Sequence, residues 1–122
     1  MRSRFVRYES PLVNEHGRHT GIFGLANGLA RAGVLSETDQ AFWEANNTWF
    51  DKSLTYPPAA VYDRATNPLA ASWFKASAAE FLAPVPGYLA LLARHSVACV
   101  ERWSDDPGRV VYEDEHQVVV VP

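Results

Sequence analysis

Cysteine is nearly missing from this chain: Cys99 stands alone, so no intramolecular disulfide can hold the fold together, and a reducing, cytoplasmic location is the expected one. Positive charge is also in short supply. Eleven Lys and Arg stand against 14 Asp and Glu, for a formal net charge of -3. That balance excludes a phosphate-backbone binder, because non-specific nucleic-acid affinity comes from clustered Lys and Arg, and only Arg2, Arg4 and Arg7 cluster here. Long apolar runs are absent as well. Nothing approaches the length of a membrane span, and the basic start is followed by no apolar stretch, so neither a membrane nor a targeting signal is expected. No internal repeat or low-complexity tract occurs.

What the chain does have is apolar content. Of its 122 residues 48% are hydrophobic and 20% charged, enough to bury a core in one domain spanning 1–122. The stretch from Arg109 to Pro122 organises the reading. Val110 and Tyr112 fall on one face and Arg109, Val111 and Glu113 on the other, as in a strand with one wet face, and Val118 to Val121 is apolar on both faces, as in a central strand covered on both sides, with the helices upstream as the expected cover. Upstream, Ile22, Leu25, Ala26, Leu29 and Ala30 follow helical spacing, with Thr20 as the expected cap and Gly33 at the C-terminal end. Ser36 and the acidic turn after it open a second helix, which Tyr56-Pro57-Pro58 ends. Ala71 to Ala76 is read as a strand. Ser77 to Glu80 is read as a capping box, and a helix restarts at Pro84.

Val97 to Trp103 reads as a strand leading into the terminal hairpin through the turn Ser104 to Gly108. Arg4 to Glu9 reads as a short, wet edge strand, and Ser10 to Gly21 as a loop. The fold class that results is α+β: a mostly antiparallel sheet, made of a C-terminal three-stranded meander plus one or two further strands, packed with about three helices.

At Trp73-Phe-Lys75, Pro86-Gly-Tyr-Leu89 and Asp106 to Asp114 with Gln117-Val118, the chain resembles an uncharacterised family of short bacterial proteins, from about Gly21 onward. That resemblance implies no activity and transfers no site. The hairpin Val-Tyr-Glu-Asp-Glu-His is also similar to strand-turn-strand pieces of pseudouridine synthases and histidine-triad hydrolases. Neither reading holds, because the Arg-Leu-Asp setting of the first and the alternating histidines of the second do not occur.

The most suggestive cluster for chemistry is His16-Gly-Arg-His-Thr-Gly21, directly before a helix. Glycine admits close backbone approach, Arg18, His16, His19 and Thr20 supply donors, and a helix N-terminus presents free amides, a combination suited to an anion. It matches no nucleotide-binding fingerprint, and no cofactor is implied. Asn46, in the apolar stripe of the second helix, is an amide that must be paired or must face a ligand. Arg64 and Lys75 complete the candidate ligand set. His16 and His19 are spaced like part of a metal pair, but no H-E-x-x-H or C-x-x-C pattern accompanies them, so no metal is expected. Cys99, within a predicted strand, is expected to be buried rather than reactive.

Two functions follow as expectations. One is a small cytoplasmic interaction module that binds a protein partner or itself, suggested by four Trp, five Tyr and six Phe in so short a chain and by a strand apolar on both faces. The other is a small enzyme or ligand-binding protein for an anionic, phosphate- or carboxylate-bearing molecule, built on the His16 to Gly21 segment.

Overall fold

Residues 3–122 are described in a computed structural model. In chain order the elements are β1 (Phe5–Val13), β2 (His19–Gly21), α1 (Ile22–Arg31), α2 (Glu37–Ser53), a 3-10 turn (Ala59–Tyr62), β3 (Ala71–Lys75), a one-turn α3 (Ala79–Leu82), α4 (Val85–Arg94), β4 (Val100–Ser104), β5 (Arg109–Glu113) and β6 (Gln117–Val121). The strands form one antiparallel sheet in the order β2-β1-β3-β6-β5, with β4 paired to β1. The α+β class expected from the sequence is the class observed.

Strand β6 lies between β3 and β5 and is buried along its whole length. Its alternating valines serve two clusters. Val118 and Val120 pack with Phe5 and Trp73, while Val119 and Val121 pack with Ala70, Val61, Tyr62, Val111 and Tyr112. Neither cluster contains a residue of α1, α2 or α4, so strand and 3-10-turn side chains cover β6 where helices were expected. The helices build a separate core around Phe50, Phe81, Tyr88, Leu91 and Leu92, against which Phe23 and Phe74 pack. Its rings meet mostly edge to face, as at Phe23 and Tyr88, whose centroids are 5.2 Å apart, the arrangement that ring quadrupoles favour.

The helix boundaries follow local chemistry. Ser36 Oγ accepts from the Asp39 amide at 3.1 Å, opening α2. At the other end of the helical layer, Arg94 of α4 pairs with the buried Asp39, tying the end of α4 to the start of α2. Thr20 does not cap α1. Gly21 occupies that position with no side-chain bond, and Thr20 sits in β2 with its Oγ1 accepting from Asn14 Nδ2 at 3.1 Å. Ser77 does not cap α3 either, whose cap position is Ala78.

Three strand expectations need correction. The N-terminal strand is no short, wet edge: β1 has nine residues, buries Phe5 and Val6, and pairs with three other strands. Its charges disguised it. Arg7 and Glu9 are ion-paired at 2.7 Å with side chains only 14% and 11% exposed, so the charges can be buried together. The loop expected from Ser10 to Gly21 is a β-hairpin. Asn14 Oδ1 accepts from the amides of His16 and Arg18, and Gly17 supplies the left-handed residue at φ +73°, which lacks a steric penalty only for glycine. Finally, β4 leaves the C-terminal meander and pairs with β1 from Phe5↔Ser104 to Glu9↔Val100. The turn after β4 redirects the chain without joining its neighbours, so of the three C-terminal strands only β5 and β6 form a hairpin.

Candidate functional site

Strand β4 runs along one side of β1 from Phe5 to Glu9, and two strands share the opposite side. Strand β3 pairs with Phe5 and Val6, and β2 pairs with Glu9 and Val13. Arg7 and Tyr8 fall where those two strands part. The Arg7 guanidinium closes the gap in place of backbone pairing: Nη1 donates to the Ser72 carbonyl at 2.9 Å, Nη2 to the His19 carbonyl at 2.9 Å, and Nε to Glu9 Oε1 at 2.7 Å.

A cleft of about 520 Å³ opens over this junction, within the size range of small-molecule sites. Arg18, His19 and Thr20 form one wall, Tyr62, Leu69, Ala70 and Ser72 the other, and Ile22, Phe23 and Gly24 bring in the first turn of α1. That turn has no side-chain cap and no acidic residue, so its free amides and the positive end of the helix dipole are available to an acceptor.

The two arginines of the cleft are in different states. Arg7 is spent on two carbonyls and a carboxylate. Arg18 is partly buried, and its Nη2 is the one buried side-chain nitrogen or oxygen among the described residues without a hydrogen-bond partner. A buried donor of a charged group left unpaired costs on the order of 1–3 kcal/mol or more, so an acceptor here would be strongly favoured. Across the cleft, burial pushes the Tyr62 hydroxyl up from its ordinary pKa. A hydrogen bond with Ser72 and the charges of Arg7 and Arg18 oppose that shift without cancelling it. Tyr62 is therefore a neutral phenol.

Glu9 lies between Arg102 and His19: its Oε2 is 3.5 Å from Arg102 Nε and 3.7 Å from His19 Nδ1. His19 Nδ1 is also 2.8 Å from the Ser10 carbonyl. A carbonyl only accepts, so Nδ1 carries a proton, and in the neutral ring Nε2 keeps its lone pair.

Of the residues singled out from sequence, Arg18, His19 and Thr20 line this cleft and the other four do not. His16 is exposed at the hairpin turn, 3.5 Å from Glu15. Arg64 is exposed in the turn after Tyr62. Lys75 is ion-paired to Glu113 at 2.6 Å. Asn46 Nδ2 donates to the Phe42 carbonyl of its own helix at 2.9 Å. Arg7, Glu9 and Ser72 also line the cleft without belonging to any sequence motif, although Arg7 and Glu9 alternate on one side of a strand; Tyr62 lines it from the aromatic loop between Leu54 and Pro68, whose composition marks it as a place for function.

The amide that joins helices is Asn47, one residue on. Its Oδ1 accepts from the Tyr88 hydroxyl at 2.6 Å, and its Nδ2 donates to Asn27 Oδ1, which also accepts from Trp43 Nε1. This network links α1, α2 and α4 and lies outside the cleft. Burial raises the pKa of the Cys99 thiol, as does the nearby Glu9 charge, which disfavours the thiolate. Among the described residues no group of three His, Cys, Asp or Glu could hold a metal ion, and no helix is long and apolar enough to cross a membrane.

No family model, curated protein or solved structure matches the chain.

Proposed function

We propose that this chain is a small cytoplasmic protein that binds a small anionic molecule in the cleft between the β1–β2 hairpin and the start of β3. The observation that carries this reading is the unpartnered, buried Nη2 of Arg18 beside the uncapped first turn of α1. A cation and an uncapped helix start lining one cavity recognise negative charge. The lone cysteine supports the cytoplasmic placement. The test is an anion titration followed by backbone amide NMR. Saturable shifts at Phe23, Gly24 and Ala70 to Ser72, weakened at least tenfold by Arg18→Ala, are expected. Still amides at millimolar anion would reject the reading.

Association with a protein partner or a second copy is the second reading, favoured by Leu12 and Val13, consecutive residues of the hairpin that are 74% and 62% exposed. The sheet surface that first suggested self-association is covered by the chain's own side chains around β6, so the support now comes from the hairpin. Sedimentation velocity on the wild type and on Leu12→Ser/Val13→Ser decides it. A concentration-dependent mass abolished by the double variant supports association, and a monomer at every concentration removes it.

A further inference from the structure

We infer that the ligand of the cleft is a monocarboxylate with an apolar body, such as an aryl-alkyl or medium-chain acid, and not a phosphate ester. This inference rests on the anion-binding reading of the same cleft and narrows it through charge, donor supply and shape.

Charge comes first. The charged side chains lining the cleft are Arg7, Glu9 and Arg18, which sum to +1 (+1 − 1 + 1). Arg7 is neutralised by Glu9 at 2.7 Å, leaving Arg18 as the cation without a partner for Nη2. One negative charge on the ligand balances the lining side chains, whereas a phosphate dianion would leave a second negative charge without a partner in a partly desolvated cleft.

Donor supply points the same way. Loops that cradle phosphate offer several consecutive backbone amides. Here the hairpin turn has consumed its own: the amides of His16 and Arg18 donate to Asn14 Oδ1, and that of Gly17 to the Asn14 carbonyl at 3.0 Å. What remains is the Arg18 guanidinium and the first turn of α1. Those donors suit the two oxygens of a carboxylate, which accepts a guanidinium fork in a planar geometry, better than the three terminal oxygens of a phosphate.

Shape supplies the apolar body. A bare inorganic anion would fill a small part of a cleft of about 520 Å³. The rest is walled by Phe23, Phe74, Leu69, Ala70 and Tyr62, side chains that gain by excluding water with an apolar group.

The experiment titrates the full chain with 4-phenylbutyrate, its neutral counterpart 4-phenylbutanol, phenyl phosphate and inorganic phosphate, using calorimetry for affinity and amide NMR for location. Phenylbutyrate is expected to bind at least tenfold more tightly than any of the other three and to shift Phe23, Gly24 and Ala70 to Ser72. Arg18→Ala should cost tenfold or more and Arg18→Lys less. Leu69→Ser, at an exposed position, should weaken phenylbutyrate but not acetate. An unchanged amide spectrum away from the cleft shows that each variant is folded. If phenyl phosphate or inorganic phosphate binds this cleft as tightly as the carboxylate, the narrowing is wrong while the anion site stands. If the alcohol binds as tightly, charge plays no part and both readings fail, as they do if no compound moves these amides.

Discussion

Gly87 of α4 lies directly against the ring of Phe42 of α2: a Cβ at Gly87 would come within 2.5 Å of the ring Cζ. Glycine costs roughly 1 kcal/mol relative to alanine inside a helix, and here its missing side chain is what lets α4 approach α2. Gly87→Ala gains that propensity and loses the approach, and with overpacking worth about 1–3 kcal/mol the net change is destabilising. Chemical denaturation should show a lowered midpoint. Adding Phe42→Leu should recover part of the loss, a non-additivity that marks contact between the two sites.

Val119 is fully buried at the centre of β6. Val119→Asp places a carboxylate among Ala70, Val121, Val111 and Tyr112, and several kcal/mol of stability should be lost. The expected result is a chain unfolded or close to unfolded at 37 °C by circular dichroism. A melting temperature equal to that of the wild type would place β6 at the surface.

Asn46 and Asn47 are adjacent and should behave differently. Asn47 carries the Tyr88 hydroxyl and Asn27, so Asn47→Leu strands buried partners and should cost about 1–3 kcal/mol. Asn46 bonds only within its own turn, and Asn46→Leu should change stability by less than about 1 kcal/mol. Parallel urea titrations of the two variants check the contrast.

The Asp39–Arg94 pair makes stability depend on acid. The hydrogen bond from Arg94 holds the Asp39 carboxyl below its ordinary pKa of 3.8, burial opposes this, and the Arg94 and His95 charges assist it. A carboxyl depressed on folding contributes stability that is fully present above the unfolded value and lost as pH falls through the folded one. The melting temperature of the wild type should therefore exceed that of Asp39→Asn at pH 7, and the gap should narrow below about pH 4. A constant gap from pH 7 to pH 2 would show that the pairing of charges is not its source.

What could be read from the chain alone was the locally determined part. The two helices around Gly33 and Ser36 and the β5–β6 hairpin depend on spacing and turn chemistry within a dozen residues, and apart from the Thr20 cap they match that reading. Strand β1 was undervalued because Arg7 and Glu9 look like solvent-facing residues until their pairing is known. The partner of β4 is set by β1, about ninety-five residues away in the chain, and no local pattern carries that information. Asn46 and Asn47 differ by 100° on a helical wheel, enough to separate an amide bonded within its own helix from one that joins three helices. For the cleft, the His16 to Gly21 wall was visible as a motif, while the Tyr62 to Ser72 wall meets it only through tertiary packing.

The interior position of β6 also sets an order of events during synthesis. β1, β3 and β4 can pair once residue 104 has left the ribosome, but the edge of β3 that β6 occupies stays open until residues 117–121 follow. Until then Trp73 and Phe5 lack their valine neighbours, and the nascent chain displays an unpaired strand edge beside apolar surface, the kind of surface that chaperones hold and that aggregates when they do not. A translation pause just upstream of Gln117 would therefore prolong that exposure, because the residues withheld form an interior strand of the sheet.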